Sequence, residues 1–435
     1  MQLTEEQIFA LAPDDASKKA GKDLANPAKW VSKGINEKAL WGECQGSGSK
    51  PYQTQVDLQN IAFKCSCPSR KFPCKHGLGL LLLQARQPGL FNVSDAPLWV
   101  EDWISKRAVK EEKQVVKSEK PVDENAQAKR QQAREQKVND GIQELLLWLK
   151  DIIRNGILNI PEKGTSYWEN MARRMVDNQS SGLAGRIKTL GATRFWEEGW
   201  QTNFMNQLLQ LYLIANGYQN RENLPPDLQQ DIKTAVGFNI NQEILKEMPG
   251  VNDTWLVLAK ESRIEEKLTI ERNWLYGTQN NKYALILQFF VAGQSGAISL
   301  TPGMQLQAEL VFIPSTVPLR AIIKNQQSTV SDKPPAINPF SGWQQLAEFE
   351  SRLSSSLPFR GEQPYIVKNL KPVQFNKQWW LQDEQEHLVP LNHGFRKIWK
   401  ILALGGGEAL TMAVIGRENK FEPIGVWRRE TYSAI

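Results

Sequence analysis

The densest group of metal-binding side chains in this sequence lies between residues 65 and 76. The stretch begins with Cys-Ser-Cys at residues 65–67 and ends with Cys-Lys-His at residues 74–76. It holds three of the four cysteines and one of the three histidines of a 435-residue chain. Four such rare side chains within twelve positions indicate a metal site rather than a chance cluster.

The spacing of these four residues predicts how they are held. Side chains alternate along a strand, so Cys65 and Cys67 would share one face and their thiolates would converge. Cys74 and His76 are two positions apart, a separation that on a helix points side chains to nearly opposite sides. We therefore expect Cys74 in the loop before a helix and His76 in the first turn. The apolar run at residues 78–83 predicts that this helix is mostly buried.

The ligand types select the metal. Three thiolates and one imidazole suit tetrahedral Zn²⁺, and four protein ligands leave no open position for a reacting water. A disulfide would leave one cysteine over and would need an oxidising compartment, and Cys65 and Cys67 are badly placed to bridge each other. A redox pair usually has the spacing Cys-x-x-Cys, which is absent. The prediction is one structural Zn²⁺ held by Cys65, Cys67, Cys74 and His76.

This motif resembles the SWIM zinc finger, a β-β-α module in which Cys-x-Cys and Cys-x-His precede an apolar helix. Residues 41–52 and 65–83 are similar to the bacterial SWIM zinc finger family proteins, whose members approach this length. SWIM domains are described as predicted binders of DNA or of proteins. Bacterial members are often encoded beside MoxR-type AAA+ ATPases and von Willebrand factor A proteins. The resemblance thus implies a partner of one of these kinds.

The composition is that of an ordinary folded protein. A length of 435 residues predicts about two to four domains. With 41% hydrophobic and 23% charged residues, the chain can build normal cores. Its formal net charge of +6 permits nucleic-acid binding without requiring it.

The sequence also predicts a compartment. The first residues lack the basic start and apolar segment of a signal peptide. No run of about eighteen apolar residues is present, so we expect no membrane-spanning segment. Cysteines kept for a metal fit a reducing cytosol, and the predicted localisation is cytoplasmic. Cys44 is interpreted as a half-buried free thiol on a strand, with a metal or redox role as the alternative.

The residues around the zinc motif are basic. No acidic residue lies between Asp57 and Asp95, whereas five basic residues do: Lys64, Arg70, Lys71, Lys75 and Arg86. Three thiolates against Zn²⁺ subtract one charge, which leaves about +4. Arg70, Lys71 and Lys75 lie near the expected helix N-terminus and are candidate phosphate contacts. The alternative, slightly favoured, is a solvated basic rim that offsets the thiolates.

The hydrophobic pattern predicts a multidomain α+β protein. Residues 1–103 would form the zinc module, with short helical pieces over 1–38, and residues 104–138 a charged linker that is helical in parts. Residues 139–250 have a helical period and predict an all-α domain, in which Ser166-x-x-Glu169 indicates a capping box. Residues 251–435 change to an alternating period and predict an antiparallel β-rich α+β domain.

Within that last domain, strands and helices can be assigned. Strands are predicted at residues 254–259, 268–276, 283–291, 306–313, 411–415 and 423–428. Helices are predicted at residues 342–353, with Ser341 as the cap, and at residues 395–404.

No enzyme class is indicated by the motifs. The Gly-Gly-Gly-Glu run at residues 405–408 lacks the Lys-Ser or Lys-Thr of a phosphate loop and is predicted to be a turn. No hydrolase, metalloprotease or dinucleotide motif is present. His387 and His393 have acidic neighbours but no third strong ligand, so we interpret them as ordinary surface histidines. We expect a protein without catalytic activity, with an unrecognised hydrolase site in the C-terminal domain as the remaining alternative.

Beside the hydrolase alternative, two non-catalytic functions are possible, and the sequence favours one of them. The first is a zinc-binding interaction protein, an adaptor or cofactor of a AAA+ ATPase system. The second is a nucleic-acid-binding protein that uses the basic zinc lobe and the linker, whose ten basic and six acidic residues give +4. A helix that reads DNA needs polar residues on its outer face, whereas the helix after His76 is apolar. Protein contact is therefore the favoured prediction.

Overall fold

The computed structural model describes most of the chain. The described residues are 3–46, 48, 50–58, 61–69, 71–116, 124–265, 268–291, 299–329, 334–392, 394–417 and 420–435. For residues 108–116, 124–128, 264–265, 291, 327–329 and 417 the description covers the backbone alone. Arg70, a candidate phosphate contact, and His393, interpreted as a surface histidine, lie outside the described residues. The fold is multidomain α+β, as predicted.

The N-terminal module is a five-stranded sheet with three helices. Its strands have the order β4-β3-β2-β1-β5, and all neighbours are antiparallel except the parallel pair β1 and β5. The strands are β1 (Trp30–Ile35), β2 (Ala39–Cys44), β3 (Tyr52–Asp57), β4 (Ala62–Cys65) and β5 (Asn92–Val93). The helices are α1 (Glu5–Ala10), α2 (Asp15–Leu24) and α3 (Lys75–Arg86).

Strand β1 corrects the prediction of short helical pieces over residues 1–38. Trp30 opens this strand, and its indole Nε1 donates to the Leu24 carbonyl at 2.8 Å. Gly34 lies so close to Trp41 of β2 that an added Cβ would be 2.5 Å from the ring. The small inward residues of β1 make room for its neighbours, which hides the apolar alternation that identifies most strands.

Helix α3 is buried along most of its length, as predicted. Residues 76–83 are all buried. The helix packs closely on α2, because a Cβ added to Gly79 would lie 2.7 Å from the Leu24 Cβ, and one added to Gly21 would lie 2.8 Å from the Leu78 Cβ. Gly21 lies inside α2, and its lack of a side chain allows this contact.

The predicted linker consists largely of two helices, α4 (Leu98–Val116) and α5 (Glu124–Arg154). The start of α4 packs on the finger sheet, where Val100 contacts the cluster that holds Trp41. Helix α5 runs without a break through the boundary predicted between residues 138 and 139, because Val138 already lies in the core of the helical domain. The predicted domain boundaries themselves stay predictions.

The central domain is all-α, as predicted. After α5 it contains α6 (Thr165–Asp177), α7 (Ser181–Gly191), α8 (Trp200–Gln219), α9 (Pro226–Val236) and α10 (Gln242–Glu247). Trp168 lies in its core, in edge contact with Trp148 and Phe204. The capping box predicted at Ser166 is wrong, because α6 begins at Thr165 and Ser166 is therefore already inside the helix.

The C-terminal part contains two β structures. The first is a closed barrel with the order β10-β8-β7-β6-β9, in which the contact between β10 and β8 is parallel. Its strands are β6 (Val251–Glu265), β7 (Leu268–Gly277), β8 (Tyr283–Val291), β9 (Gln305–Phe312) and β10 (Arg320–Thr329).

The second is a six-stranded antiparallel sheet with the order β13-β12-β11-β14-β15-β16. Its strands are β11 (Pro364–Phe375), β12 (Gln378–Gln382), β13 (Leu388–Pro390), β14 (Leu410–Arg417), β15 (Lys420–Arg428) and β16 (Thr431–Ala434), and its helices are α11 (Trp343–Ser356) and α12 (Ile398–Gly405). The Tyr432 hydroxyl donates to the Leu258 carbonyl at 2.5 Å and so joins this sheet to the barrel. Sequence reasoning missed β10, β11, β12, β13 and β16.

Gly406 and Gly407 form the turn that ends α12, as predicted for the glycine run.

Across the described residues, no helix combines the length and the apolar surface needed to cross a membrane.

Candidate metal centre

The local fold delivers the four predicted ligands to one place. Cys65 is the last residue of β4, and the loop that follows carries Cys67. Cys74 is the N-cap of α3, and His76 lies in the first turn of that helix, which confirms both placements. Strand β4 stops before Cys67, although the Ser66 amide still donates to the Gln53 carbonyl at 2.9 Å. Cys67 therefore reaches the site from a loop rather than from the strand face expected for it.

The ligand atoms lie close enough together to surround one tetrahedral zinc ion. One ligand atom from each of Cys65, Cys67, Cys74 and His76 lies within 4.8 Å of all the others. The His76 Nδ1 is 3.7 Å from the Cys65 sulfur and 3.9 Å from the Cys74 sulfur. Zn–S and Zn–N bonds of about 2.3 and 2.0 Å would separate ligand pairs by about 3.5–3.8 Å. The residues present therefore fit one Zn²⁺, which His76 would bind through Nδ1.

Neighbouring side chains fix the orientation of the ligands. Cys74 and His76 are buried, and the Tyr52 ring lies 5.0 Å from the imidazole. The Thr54 hydroxyl contacts the Cys65 sulfur at 3.2 Å across the pairing of β3 with β4. A hydroxyl hydrogen bond to a ligating sulfur is the kind of outer contact that positions a metal ligand.

The close approach of α3 to β4 depends on a glycine. A Cβ added to Gly77 would lie 2.7 Å from the Phe63 ring. A larger residue at this position would push the first turn of α3, and with it His76, away from the strand that carries Cys65. The glycine between the ligand His76 and the apolar run thus allows the metal centre to close.

When no metal is bound, hydrogen bonds and burial shift the pKa values of the three ligand thiols in different directions. A hydrogen bond from the Cys65 thiol lowers the pKa of Cys74 to about 4. The same hydrogen bond, together with burial, raises the pKa of Cys65, and burial raises the pKa of Cys67. One thiolate therefore forms readily, whereas the other two sulfurs must release protons when Zn²⁺ binds.

Cys44 lies outside the group of four ligands. It is fully buried on β2, within the apolar core of the module, and its thiol contacts the Gln45 carbonyl at 3.8 Å. Burial raises the pKa of this thiol, which keeps it protonated. The interpretation of Cys44 as a free thiol on a strand is correct, but the side chain is buried rather than half-buried.

Two of the five basic residues around the motif are paired with acidic residues from the N-terminal helices. The Lys71 ammonium lies 2.7 Å from the Asp14 carboxylate, and Arg86 lies 2.6 Å from Glu5. Lys71 also lowers the pKa of Asp14 to about 2. The charge of about +4 counted along the sequence therefore overstates the field at this surface. Lys75 is exposed at the first position of α3, while Arg70 lies outside the described residues.

His387 of the C-terminal domain has a different role, and His393 lies outside the described residues. The His387 Nδ1 lies 3.2 Å from Asp383, which also accepts the backbone amide of Trp343 at 2.8 Å. Asp383 thus caps α11 from a distant loop, in place of the predicted cap Ser341. Among the residues that the structure describes, the zinc motif is the group of three or more Cys, His, Asp or Glu able to hold a metal ion.

Comparison with known families agrees with this geometry. Residues 52–84 match the family model of the SWIM zinc finger. The chain contains a SWIM zinc finger. Residues 133–236 match the SWIM-associated four-helix bundle domain, which corresponds to most of α5 together with α6 to α9. No curated protein and no solved structure shows significant similarity to the chain.

The SWIM finger binds one zinc ion through a complete set of protein ligands. All four ligands come from residues 65–76, and they leave no position for a substrate or an activated water. The sequence motif was sufficient to identify them. It did not reveal Thr54, Asp14 or Glu5, because these residues reach their partners through tertiary contacts. The alternation of polar and apolar residues at positions 52–58 is a signal that could have pointed to Thr54.

Proposed function

We propose that this protein is a cytoplasmic interaction protein without catalytic activity, whose SWIM finger contacts a protein partner. The observation that carries the proposal is the closed ligand set, because a zinc ion with four protein ligands stabilises a surface rather than reacting. The finger is thus a rigid module available for binding.

The surface of the finger supports a protein partner over nucleic acid. Lys71 and Arg86 are engaged with acidic residues of the same module, which reduces the positive field that a phosphate backbone would meet. Leu90, Val93 and Leu98 are exposed around β5, which forms an edge of the sheet. Exposed apolar groups beside a short edge strand favour contact with another protein.

The resemblance to bacterial SWIM proteins gives the class of partner. We propose an adaptor or cofactor role toward a MoxR-type AAA+ ATPase, with a von Willebrand factor A protein as a further member of the same assembly. The bundle at residues 133–236 would then connect the finger to the β structures along the chain.

Binding of a purified MoxR-type AAA+ ATPase from the same organism tests this proposal. We expect saturable binding to the zinc-loaded protein in isothermal titration calorimetry, weakened at least tenfold by Val93→Asp. The matched control is Val176→Asp, at an exposed site on the helical domain, which should bind normally. If Val93→Asp and Val176→Asp bind the ATPase equally well, the β5 edge of the finger does not belong to the interface.

The nucleic-acid alternative is measured in parallel. The zinc-loaded protein is titrated with a short DNA duplex and with a single strand, each at low and near-physiological salt. Binding that vanishes at physiological salt is the nonspecific attraction of a mildly basic protein. Sub-micromolar affinity that survives salt and falls with Lys75→Ala would replace the protein-contact proposal with DNA binding by the ligand loop.

A further inference from the structure

A cavity of about 570 Å³ lies at the junction of the two C-terminal β structures. Its walls come from the barrel, from the Thr316 loop, from α11 and from the segment at residues 334–340. Pockets that bind small molecules typically measure about 300–1,000 Å³ and occur preferentially where domains meet. The size and the position of this cavity are therefore those of a ligand site.

Aromatic side chains form the inner wall of the cavity. Tyr283, Phe340 and Phe349 all line it. The Phe340 and Phe349 rings are 5.3 Å apart, and both Phe340 and Tyr283 lie 5.8 Å from the buried ring of Tyr365. The Tyr283 hydroxyl is fixed because it accepts the backbone amide of Ile366 at 3.0 Å. A preformed aromatic wall of this kind accommodates a flat apolar ring at little cost in side-chain ordering.

A positively charged side chain, that of Lys282, lies at the rim of the cavity. Lys282 is the charged side chain among the described residues that line it, and it is exposed. Its ammonium lies 5.8 Å from the centre of the Phe312 ring, on the barrel side of the cavity. An anionic group on a ligand would therefore meet a positive charge at the mouth, while its apolar part would lie against the aromatic wall.

Gln363 provides a polar side chain at the wall of the cavity. The residue is 8% exposed, so it is held among other residues of the wall. A side-chain amide both donates and accepts hydrogen bonds, and it can therefore bind a polar group of a molecule in the cavity.

We propose that this cavity binds a small aromatic carboxylate. The ring packs against Tyr283, Phe340 and Phe349, the carboxylate pairs with Lys282, and Gln363 hydrogen-bonds a polar substituent. Nothing in this site depends on the zinc ion or on a protein partner, so the inference stands apart from the function proposed for the finger.

The test uses the full-length, zinc-loaded protein and two probes of the same shape, 2-naphthoate and the neutral 2-naphthamide. Isothermal titration calorimetry should show one saturable site for each. The carboxylate should bind about two to five times more tightly than the amide, the range of an ion pair that solvent partly screens. Failure of both probes to bind saturably would overturn the proposal.

Three variants locate the site. Lys282→Gln should weaken naphthoate to the affinity of naphthamide and leave naphthamide unchanged. Lys371→Gln, at an exposed lysine of β11 that does not line the cavity, is the matched control and should change neither affinity. Thr316→Trp keeps the backbone amide that donates to Asp231 and places an indole at the mouth, so it should abolish binding of both probes.

The opposite results would contradict the proposal. Naphthoate that binds equally to Lys282→Gln and to the unchanged protein would show that the carboxylate does not meet this cation. Normal binding of both probes by Thr316→Trp would place them elsewhere on the molecule. Because both substitutions are at exposed positions, their effects report on binding rather than on folding.

Discussion

The SWIM finger and the helical domain are stabilised in different ways. Both bury a continuous apolar core, that of the finger around Leu40, Leu80 and Leu82 and that of the bundle around Trp168 and Phe204. In the finger, a ligand loop without regular structure, described at residues 66–69 and 71–74, connects β4 to α3. Apolar packing holds the helices of the bundle, whereas the ligand loop is held by the packing of Phe72 on the finger core together with the metal ligands Cys67 and Cys74. The comparison teaches that zinc adds to apolar packing in the part of the finger that lacks regular structure.

Removal of one ligand should have the largest effect, and it should be confined to the finger. We expect Cys74→Ser to lose the zinc ion and to unfold the N-terminal module, because structural zinc supplies folding free energy, about 10–16 kcal/mol in zinc-finger peptides. Zinc content by atomic absorption and thermal unfolding by circular dichroism measure both effects. Helical signal from the bundle should persist.

Cys44→Ser is the matched control for this ligand substitution. It makes the same chemical change at a buried thiol outside the metal group, so zinc content should stay at one ion per chain. The finger should lose only the free energy of placing a hydroxyl in an apolar core, about 1–3 kcal/mol. Normal zinc content and thermal stability in Cys74→Ser would refute the assignment of the ligands.

Truncating Trp168 in the bundle core should have the next largest effect and should leave the zinc content unchanged. Trp168 is 3% exposed and its ring contacts three aromatic neighbours. Trp168→Ala should lower the free energy of unfolding of the helical domain by about 3–5 kcal/mol, measured by urea titration. Trp196→Ala, at an 82% exposed site of the same domain, should change it by about 0.5 kcal/mol or less. Zinc release by Trp168→Ala would show that the two regions unfold as one unit.

Two glycine substitutions test the packing of the two regions, with smaller expected changes in the free energy of unfolding. Gly79→Ala places a methyl group 2.7 Å from the Leu24 Cβ and should destabilise the finger by about 1–3 kcal/mol. Gly185→Ala lies in α7, where nothing is within 4 Å of the new Cβ, and should stabilise the bundle by about 0.5–1 kcal/mol. Chemical denaturation of both variants measures whether each substitution raises or lowers the free energy of unfolding. A stabilising Gly79→Ala would mean that α2 and α3 are not closely packed.

The smallest effect concerns the ion pair between Asp14 and Lys71. The pKa of Asp14 is lowered from 3.8 to about 2, so the pair stabilises the folded finger at neutral pH and this contribution is lost as the pH falls from about 4 to about 2. Lys71→Gln should raise the pKa of Asp14 toward 3.8 in an NMR titration. An unchanged pKa would show that the N-cap contact with Ser17, and not Lys71, sets it.

Local patterns in the sequence predicted much of the architecture. The four ligands, the place of Cys74 before α3 and of His76 within it, the all-α central domain and four strands of the barrel follow from spacing and period alone. Features that depend on neighbours were missed or wrong. Strand β1 is one of these, because the small residue Gly34 replaces an apolar one where Trp41 packs. The cap of α11 is another, since Asp383 comes from a loop forty residues away.

The sequence by itself determined the metal, the ligand set and the order of the domains, because these depend on residues that are close together in the chain. The tertiary structure decided the charge of the finger surface, the hydroxyl contact to Cys65 and the aromatic cavity between the two C-terminal β structures. The charge of the finger surface and the cavity depend on groups that lie tens of residues apart in the chain or in different β structures. The hydroxyl contact to Cys65 depends on the register between β3 and β4, which the sequence pattern did not give. Spacing along the chain records local geometry, whereas such contacts exist only once the packing of helices and sheets has brought the groups together.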